Sequence, residues 1–167
     1  MTEREFAALY EAEYGYVERT LSRLGIARGD LADVAHDLFV IVYRKHGERD
    51  ATRSLRAWLF GIALKLAANY RKRAFRSHEL AVSDERGVDE RAPADEQLAE
   101  AQAWAQLSAA LDALDLDQRA VIVLHDLEGA AAPEVAATLG VPLNTVYSRL
   151  RAARQKLIAQ VRGGERR

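Results

Sequence analysis

The chain has 167 residues, of which 49% are hydrophobic and 29% are charged, with a formal net charge of −1. Cysteine is absent, which excludes disulfides and thiolate metal sites and favours a reducing compartment. No apolar run reaches the ~18 residues that a membrane span needs, and the first residues lack a signal-peptide core. We therefore expect a cytoplasmic protein without membrane insertion.

The motifs of the common enzyme classes are missing from the sequence. The four histidines lie far apart, without the spacing of metal ligands. Neither a Gly-rich phosphate loop nor a nucleophile elbow is present. We therefore expect a protein that is not an enzyme, with no catalytic residues, no metal and no cofactor.

Hydrophobic residues at helical spacing predict three helices, over residues 2–24, 30–45 and 54–75. Asp30 is the predicted N-cap of the second helix. Asp33 and Asp37 lie four residues apart on the polar face of this helix. They either meet a basic partner surface or are simply solvated, and spacing alone does not separate these two interpretations.

The third predicted helix becomes basic towards its end. No acid occurs between Leu66 and Ser77. A basic cluster beside an aromatic ring and an amide suits single-stranded nucleic acid, because bases stack on the ring and cations follow the backbone. The alternative is a helix end whose cations match its dipole. The residues of this cluster are Asn69, Tyr70, Arg71, Lys72 and Arg73.

Residues 77–97 are predicted to form a flexible acidic linker, because they contain few large apolar residues and show no periodicity. A linker of this length has a coil dimension of ~25 Å and a stretched limit of ~65–70 Å. Two turns of duplex DNA span ~68–72 Å. Two DNA-reading modules joined by this linker therefore reach sites two turns apart only if it is nearly taut or the modules cover part of the gap.

A helix-turn-helix is predicted between Ala131 and Leu157. A short apolar helix ends at Gly140, a residue that tolerates the positive φ of a helix C-terminus, and Pro142 fits the first turn of the next helix. In that second helix the inward-facing stripe consists of Val146, Leu150, Ala153 and Leu157. Upstream, Asp115 and Gln118 resemble a capping box that starts another helix.

The remaining faces of the second helix carry amide, hydroxyl and guanidinium groups, which read base edges and clamp phosphates. The alternative is a helical hairpin with a solvated basic face. Because phosphate neutralisation supplies most DNA affinity, the net charge of −1 predicts weak binding by the chain alone. Another molecule would have to present the DNA to it.

Three segments resemble one family, the extracytoplasmic-function (ECF) group of bacterial RNA polymerase sigma factors. The strongest matches are residues 55–73, 114–129 and 139–157. The resemblance implies an all-α fold with two small helical bundles joined by the flexible acidic linker. Sigma region 2 would occupy residues 1–76, the linker residues 77–97, and sigma region 4 with its helix-turn-helix residues 98–161.

The resemblance also implies binding residues in region 2. Residues 32–40 are similar to the segment that docks on the clamp helices of the polymerase largest subunit, although the family usually has Gln-Glu where this chain has His36-Asp37. The implied docking residues are Asp33, His36, Asp37 and Val40. The loop over residues 46–53 and the basic end of the third helix match the reader of the promoter minus-ten element, which flips a base out of the non-template strand. The implied readers are Asn69, Tyr70, Arg71, Lys72 and Arg73.

In region 4 the second helix of the helix-turn-helix resembles the reader of the minus-thirty-five element. The implied contact residues are Leu143, Asn144, Thr145, Tyr147, Ser148, Arg149 and Arg151. The helix before the turn, AAAPEVA, lacks the aromatic and acidic residues that the family often has. The implied partners are core RNA polymerase, promoter DNA and an anti-sigma factor.

The predicted function is that of an ECF sigma factor, which binds core RNA polymerase and directs promoter-specific transcription initiation. A stand-alone helix-turn-helix regulator is the first alternative, but it leaves residues 55–73 unexplained. A sigma mimic that sequesters an anti-sigma factor is the second, but it need not keep DNA-reading residues. The sequence leaves open whether the two modules pack together in the free protein.

Overall fold

The computed structural model of the chain describes the backbone of residues 1–80 and 95–164, and the side chains of residues 1–76 and 102–160. The regular elements of these ranges are all helical, which confirms the predicted all-α class. The α-helices are α1 (Glu3–Arg23), α2 (Leu31–Lys45), α3 (Leu55–Leu80), α4 (Asp95–Asp112), α5 (Leu116–Ile122), α6 (Ala132–Leu139) and α7 (Leu143–Gly164).

Helices extend into both ends of the segment that was predicted to be a linker. Helix α3 continues to Leu80 and helix α4 begins at Asp95, so residues 77–80 and 95–97 are helical rather than irregular. The rest of the predicted linker, residues 81–94, lies outside the described residues.

Helices α1, α2 and α3 form the N-terminal module around a shared apolar core. Its most buried side chains come from the stripes that helical spacing predicts, including Leu21, Leu38 and Leu59, which are fully buried. Helix α1 starts with a capping box, in which the Thr2 hydroxyl accepts from the backbone N–H of Glu5 and the Glu5 carboxylate accepts from that of Thr2.

Asp30 occupies the predicted N-cap position of α2, but it does not cap the helix with its side chain. Residues Arg28–Asp30 form a short 3-10 turn that leads into α2, and the Asp30 side chain makes no capping hydrogen bond. Its carboxylate accepts instead from the hydroxyl of Tyr70 on α3, at 2.6 Å. The tertiary contact therefore takes the place of the local cap.

Helices α4 to α7 form the C-terminal module. The predicted cap at Asp115 is confirmed, since its carboxylate accepts from the backbone N–H of Gln118 at 2.8 Å. Helix α5 continues into a π-helical turn at Val123–Leu127, which the periodicity did not predict. The predicted helix-turn-helix is present as α6 and α7. Gly140 has the left-handed φ of 66° at the end of α6, and Pro142 immediately precedes α7.

The two modules pack against each other, so their buried residues form one continuous cluster. Helix α3 contacts α6. Arg119 from α5, with only 1% of its surface exposed, also takes part in the contact through a bond to the carbonyl of Arg23. The sequence left open whether the two modules pack together in the free protein, and in the structure they do.

We expect Gly140→Ala to destabilise the protein through its backbone alone. A Cβ at Gly140 would meet no atom within 4 Å, so the cost is that of a left-handed conformation for an L-residue, ~1–2 kcal/mol. Urea unfolding measures this change. Gly29→Ala is the matched control, because Gly29 is also exposed and uncrowded but has no positive φ. Equal effects of the two substitutions would contradict the backbone explanation.

Candidate polymerase and nucleic-acid interfaces

The four predicted polymerase-docking residues share one face of α2, since they follow each other at helical spacing. Asp33, His36 and Asp37 are exposed, and Val40 is half-buried. His36 and Val40 also line a cavity of about 660 Å³ between α1 and α2. The acidic face therefore continues into an apolar depression that the sequence analysis did not find.

Aromatic rings dominate this depression. Phe6, Tyr10 and Tyr43 line it together with Phe39, and the Phe6 and Tyr43 rings lie edge to face with centroids 5.2 Å apart. Tyr43 remains 51% exposed. Helical periodicity does not reveal which rings meet across two helices, so the sequence analysis did not predict this cluster.

The five predicted minus-ten residues do not all face the same way. Asn69, Lys72 and Arg73 are exposed on α3, whereas Tyr70 and Arg71 are half-buried. Burial and the hydrogen bond to Asp30 raise the pKa of Tyr70. The Arg71 side chain reaches the turn after α1, where a Cβ at Gly25 would lie 3.3 Å from its Nη2. The basic cluster thus divides into an exposed part and a part held against α1 and α2.

The loop that was predicted over residues 46–53 is held by its own hydrogen bonds. The carboxylate of Asp50 accepts from the hydroxyl and the backbone N–H of Thr52, at 2.6 and 2.9 Å. These two bonds lower the pKa of Asp50. Arg49 donates to the carbonyl of Arg53 at 3.0 Å. The loop therefore has a defined shape at the N-terminus of α3.

Most predicted minus-thirty-five residues are exposed at the start of α7. Thr145 is half-buried, and its carbonyl accepts from the Ser148 hydroxyl at 3.0 Å. Two large apolar side chains, Leu143 and Tyr147, are 38% and 53% exposed. The exposed members of the set are Leu143, Asn144, Tyr147, Ser148 and Arg151.

Arg149 differs from these residues, because it already has an anionic partner. Its Nη2 donates to Asp117 at 2.5 Å, and its side chain is only 26% exposed. Arg154 of the same helix makes a two-pronged contact with Asp126 at 2.6 and 3.0 Å, which lowers the pKa of that carboxyl. Helix α7 thus uses two of its arginines to hold the C-terminal module together, and Arg151 stays exposed.

The contact between the modules contains residues that sequence analysis did not single out. Arg119 donates through Nε to the carbonyl of Arg23 and through Nη1 to Asp112 at 3.1 Å. The Tyr16 hydroxyl donates to Glu128 at 3.1 Å. The position of Arg119 immediately before a fully apolar run, RAVIVL, is the sequence signal from which its burial could have been predicted.

Metal binding has no support in the part of the chain that the structure describes, where no three histidine or carboxylate side chains come together as ligands. None of the helices in the described ranges is long and apolar enough to cross a membrane.

The fold and the exposed face of α7 define an all-helical protein with a helix-turn-helix, and comparison with known proteins gives its family. The family model for sigma-70 region 4 matches residues 104–157. The RNA polymerase sigma factor CnrH from Cupriavidus metallidurans is 32% identical, and the alignment covers 94% of this chain and 86% of CnrH. The ECF RNA polymerase sigma factor SigL from Mycobacterium tuberculosis is 30% identical, with 87% of this chain and 82% of SigL covered.

Solved structures of sigma factors are also similar to this chain. CnrH in complex with the cytosolic domain of CnrY superposes with a TM-score of 0.71 at 29% identity, covering 97% of this chain and 90% of CnrH. The sigma factor RpoE in complex with the anti-sigma factor NepR from Bartonella quintana has a TM-score of 0.72 at 21% identity and covers 95% of this chain and 98% of RpoE, which supports the fold. The chain belongs to the family of ECF RNA polymerase sigma factors. The resemblance inferred from the sequence is thereby confirmed, together with the function in transcription initiation.

We expect the Asp30 and Tyr70 side chains to be energetically coupled. A double-mutant cycle with Asp30→Asn and Tyr70→Phe should give a coupling energy of about 1 kcal/mol for their hydrogen bond. Chemical unfolding of the four proteins measures it. Tyr43→Phe combined with Asp30→Asn is the control, because Tyr43 belongs to the aromatic depression instead. Additive effects of Asp30→Asn and Tyr70→Phe would contradict the contact.

Proposed function

We propose that the two modules of this sigma factor have separate tasks. The N-terminal module, residues 1–76, docks on core RNA polymerase and reads the melted minus-ten element. The C-terminal module, residues 98–161, reads the duplex minus-thirty-five element, and residues 77–97 connect them. The exposed polar face of α7, inside the segment that matches sigma region 4, is the observation that carries this assignment.

Docking uses the acidic face of α2. The two carboxylates of Asp33 and Asp37 and the imidazole of His36 are exposed there, and complementary charge on the partner would steer and orient the complex. The polymerase supplies the chemistry of RNA synthesis, while this chain supplies recognition and is not itself an enzyme. Because its binding partners, core RNA polymerase and promoter DNA, are in the bacterial cytoplasm, the protein works there.

Minus-ten reading uses the exposed part of the basic cluster. Lys72 and Arg73 hold the phosphates of the opened strand, and Asn69 offers an amide to a base edge. The Tyr70 hydroxyl is engaged by Asp30, so this residue acts through its ring and through the shape of the site. Arg71 contributes charge from its half-buried position.

Minus-thirty-five reading uses the start of α7. Asn144 and Arg151 suit contacts with base edges and phosphates in the major groove, and Ser148 adds a hydroxyl. Thr145 and the exposed side chains of Leu143 and Tyr147 offer apolar contact, for example to thymine methyl groups. Arg149 joins this surface only by releasing or sharing Asp117.

An anti-sigma factor is the third proposed partner. CnrH was solved in complex with the cytosolic domain of CnrY, and RpoE in complex with the anti-sigma factor NepR. A protein that covers the acidic face of α2 would compete with core polymerase for this chain.

The decisive experiment is transcription from genomic promoters by sigma-free core polymerase, with and without the purified chain. We expect initiation only with the chain present. A gel shift that needs no core would favour a stand-alone regulator, and failure to bind DNA under any condition would favour a sigma mimic.

In the same assay Asp37→Lys should weaken core binding ~10-fold or more, because it sets like charges against each other. Glu11→Lys, on the exposed face of α1, is the matched control and should behave as the parent.

Arg151→Ala should weaken initiation at promoters that depend on the minus-thirty-five element. Loss of one good base or phosphate contact costs ~1–3 kcal/mol, or roughly 5- to 150-fold. Abortive-transcription assays on promoters with an intact and a scrambled minus-thirty-five element measure the difference. The control Arg4→Ala removes a similar exposed cation from α1. An equal loss on the scrambled promoter would rule out a role for Arg151 in reading that element.

A further inference from the structure

A large aromatic side chain lies exposed near the end of α3. Phe75 has 69% of its surface exposed, more than any other large hydrophobic residue that the structure describes. It does not belong to the hydrophobic cluster of the described residues. A single exposed apolar residue is common on protein surfaces and does not by itself indicate a function. The role of Phe75 therefore depends on the residues that surround it.

The neighbours of Phe75 on the helix surface are cations. Residues three and four positions apart on a helix lie side by side, so Phe75 lies beside Arg71 and Lys72, and Arg76 follows it directly. Lys72 and Arg76 are exposed, and residues 67–76 contain no acid. The surface around the ring therefore attracts a polyanion.

The other aromatic ring of this basic cluster is not accessible in the same way. Tyr70 packs against the hydrophobic core, and its hydroxyl donates to the Asp30 carboxylate at 2.6 Å. Its ring is therefore fixed in place and half-buried. No core packing holds Phe75 among the described residues, so a ligand can cover most of its ring.

An exposed ring among cations suits a nucleic-acid strand whose bases are unpaired. The cations follow the phosphates, and the ring stacks on a base. In duplex DNA each base is already stacked between its neighbours, and taking it out of the stack costs free energy. An acidic peptide would pair with the cations but would leave the ring without a partner. The arrangement therefore favours an opened DNA strand over duplex DNA.

Phe75 lies far from the loop over residues 46–53, which precedes α3. It follows Leu55, the first residue of α3, by twenty positions, so about 30 Å of helix separates the two residues at 1.5 Å per residue. Successive nucleotides of one strand are only ~3.4 Å apart along a duplex. The ring must therefore meet a different base from the one that this loop would hold.

We propose that Phe75 is a stacking platform for one unpaired base of the opened promoter strand. The proposal rests on the function proposed for the N-terminal module. Because every base has a face on which a ring can stack, Phe75 adds affinity for the opened strand without adding sequence preference. It stabilises the promoter complex in which the strands are separated, whereas Asn69 offers its amide to a base edge.

Phe75→Leu and Phe75→Trp separate stacking from simple apolar contact. Leucine keeps an apolar side chain but has no flat ring, whereas tryptophan offers a larger ring. Because Phe75 is exposed, neither change disturbs the core, and circular dichroism should show the helix content of the parent. Ile158→Ala is the matched control, since it shortens another exposed apolar side chain, 52% exposed on α7, outside the proposed DNA-reading residues.

The first measurement uses 2-aminopurine, a fluorescent base whose emission falls when it stacks. It is placed in turn at each non-template position of a promoter from which the parent initiates, with the minus-ten region left unpaired by mismatches. The holoenzyme is assembled from core polymerase and the chain. We expect one position at which emission is low with the parent, Phe75→Trp and Ile158→Ala, and high with Phe75→Leu. Absence of any such position would overturn the proposal.

The second measurement is the affinity of the holoenzyme for the same mismatched promoter at several salt concentrations. Phe75→Leu should weaken binding about 5-fold or more, since this is the lower end of what one base–aromatic stack contributes. The loss should be equal at every salt concentration, because phenylalanine carries no charge. Arg73→Ala should instead reduce the slope of log affinity against log salt by ~0.7. Parent-like affinity of Phe75→Leu, or a changed slope, would overturn the stacking role.

The two measurements also separate this inference from the proposed function. If the parent initiates and Arg73→Ala weakens binding while Phe75→Leu behaves as the parent, only the role of Phe75 is lost. If the parent fails to initiate with core at any promoter, the proposed function and the stacking role both fall.

Discussion

The burial of Arg119 is the constraint on which the closed structure depends. Its guanidinium is held by a carbonyl of the N-terminal module and by Asp112 of its own module. Burial lowers the pKa of this arginine, as expected when the charged form loses its water, although the group stays charged in any ordinary solution. A buried charge of this kind fixes the geometry of the interface more than its strength.

Internal pairing of cations explains how a nearly neutral chain carries DNA-reading surfaces. Helix α7 ties Arg149 and Arg154 to carboxylates of the same module, and Arg56 of α3 pairs with Glu13 at 3.0 Å. Exposed cations remain at the start of α7 and near the end of α3, among them Arg151, Lys72 and Arg73. We expect such a protein to bind DNA weakly by itself, since affinity depends on the number of phosphates neutralised. We therefore expect core polymerase to supply most of the affinity for promoter DNA.

The candidate sites were predicted from the sequence as sets of residues, and the structure divides these sets. The α2 face was predictable, because side chains at positions i, i+3, i+4 and i+7 of one helix always share a face. The division of the minus-ten cluster was not, because Tyr70 turns towards Asp30, which lies 40 residues earlier in the chain. The same contact occupies the Asp30 carboxylate, so Asp30 stands at the N-cap position of α2 without making the capping hydrogen bond. Arg149 was likewise predicted as a DNA reader without knowledge of Asp117, which reaches it only through the packing of α5 on α7.

The sequence by itself determined the helices, the glycine turn of the helix-turn-helix and the family, because these follow from local periodicity, local backbone preference and the order of short motifs. The C-terminus of α3 and the N-terminus of α4 extend further into the predicted linker than local composition indicated. The tertiary structure alone decided which cations are free, which rings line the α1–α2 depression and how the modules meet. Those outcomes rest on pairs such as Tyr16 and Glu128, separated by 112 positions. No local preference encodes such a pair, since its free energy arises only when burial of the surrounding surface brings the two groups together.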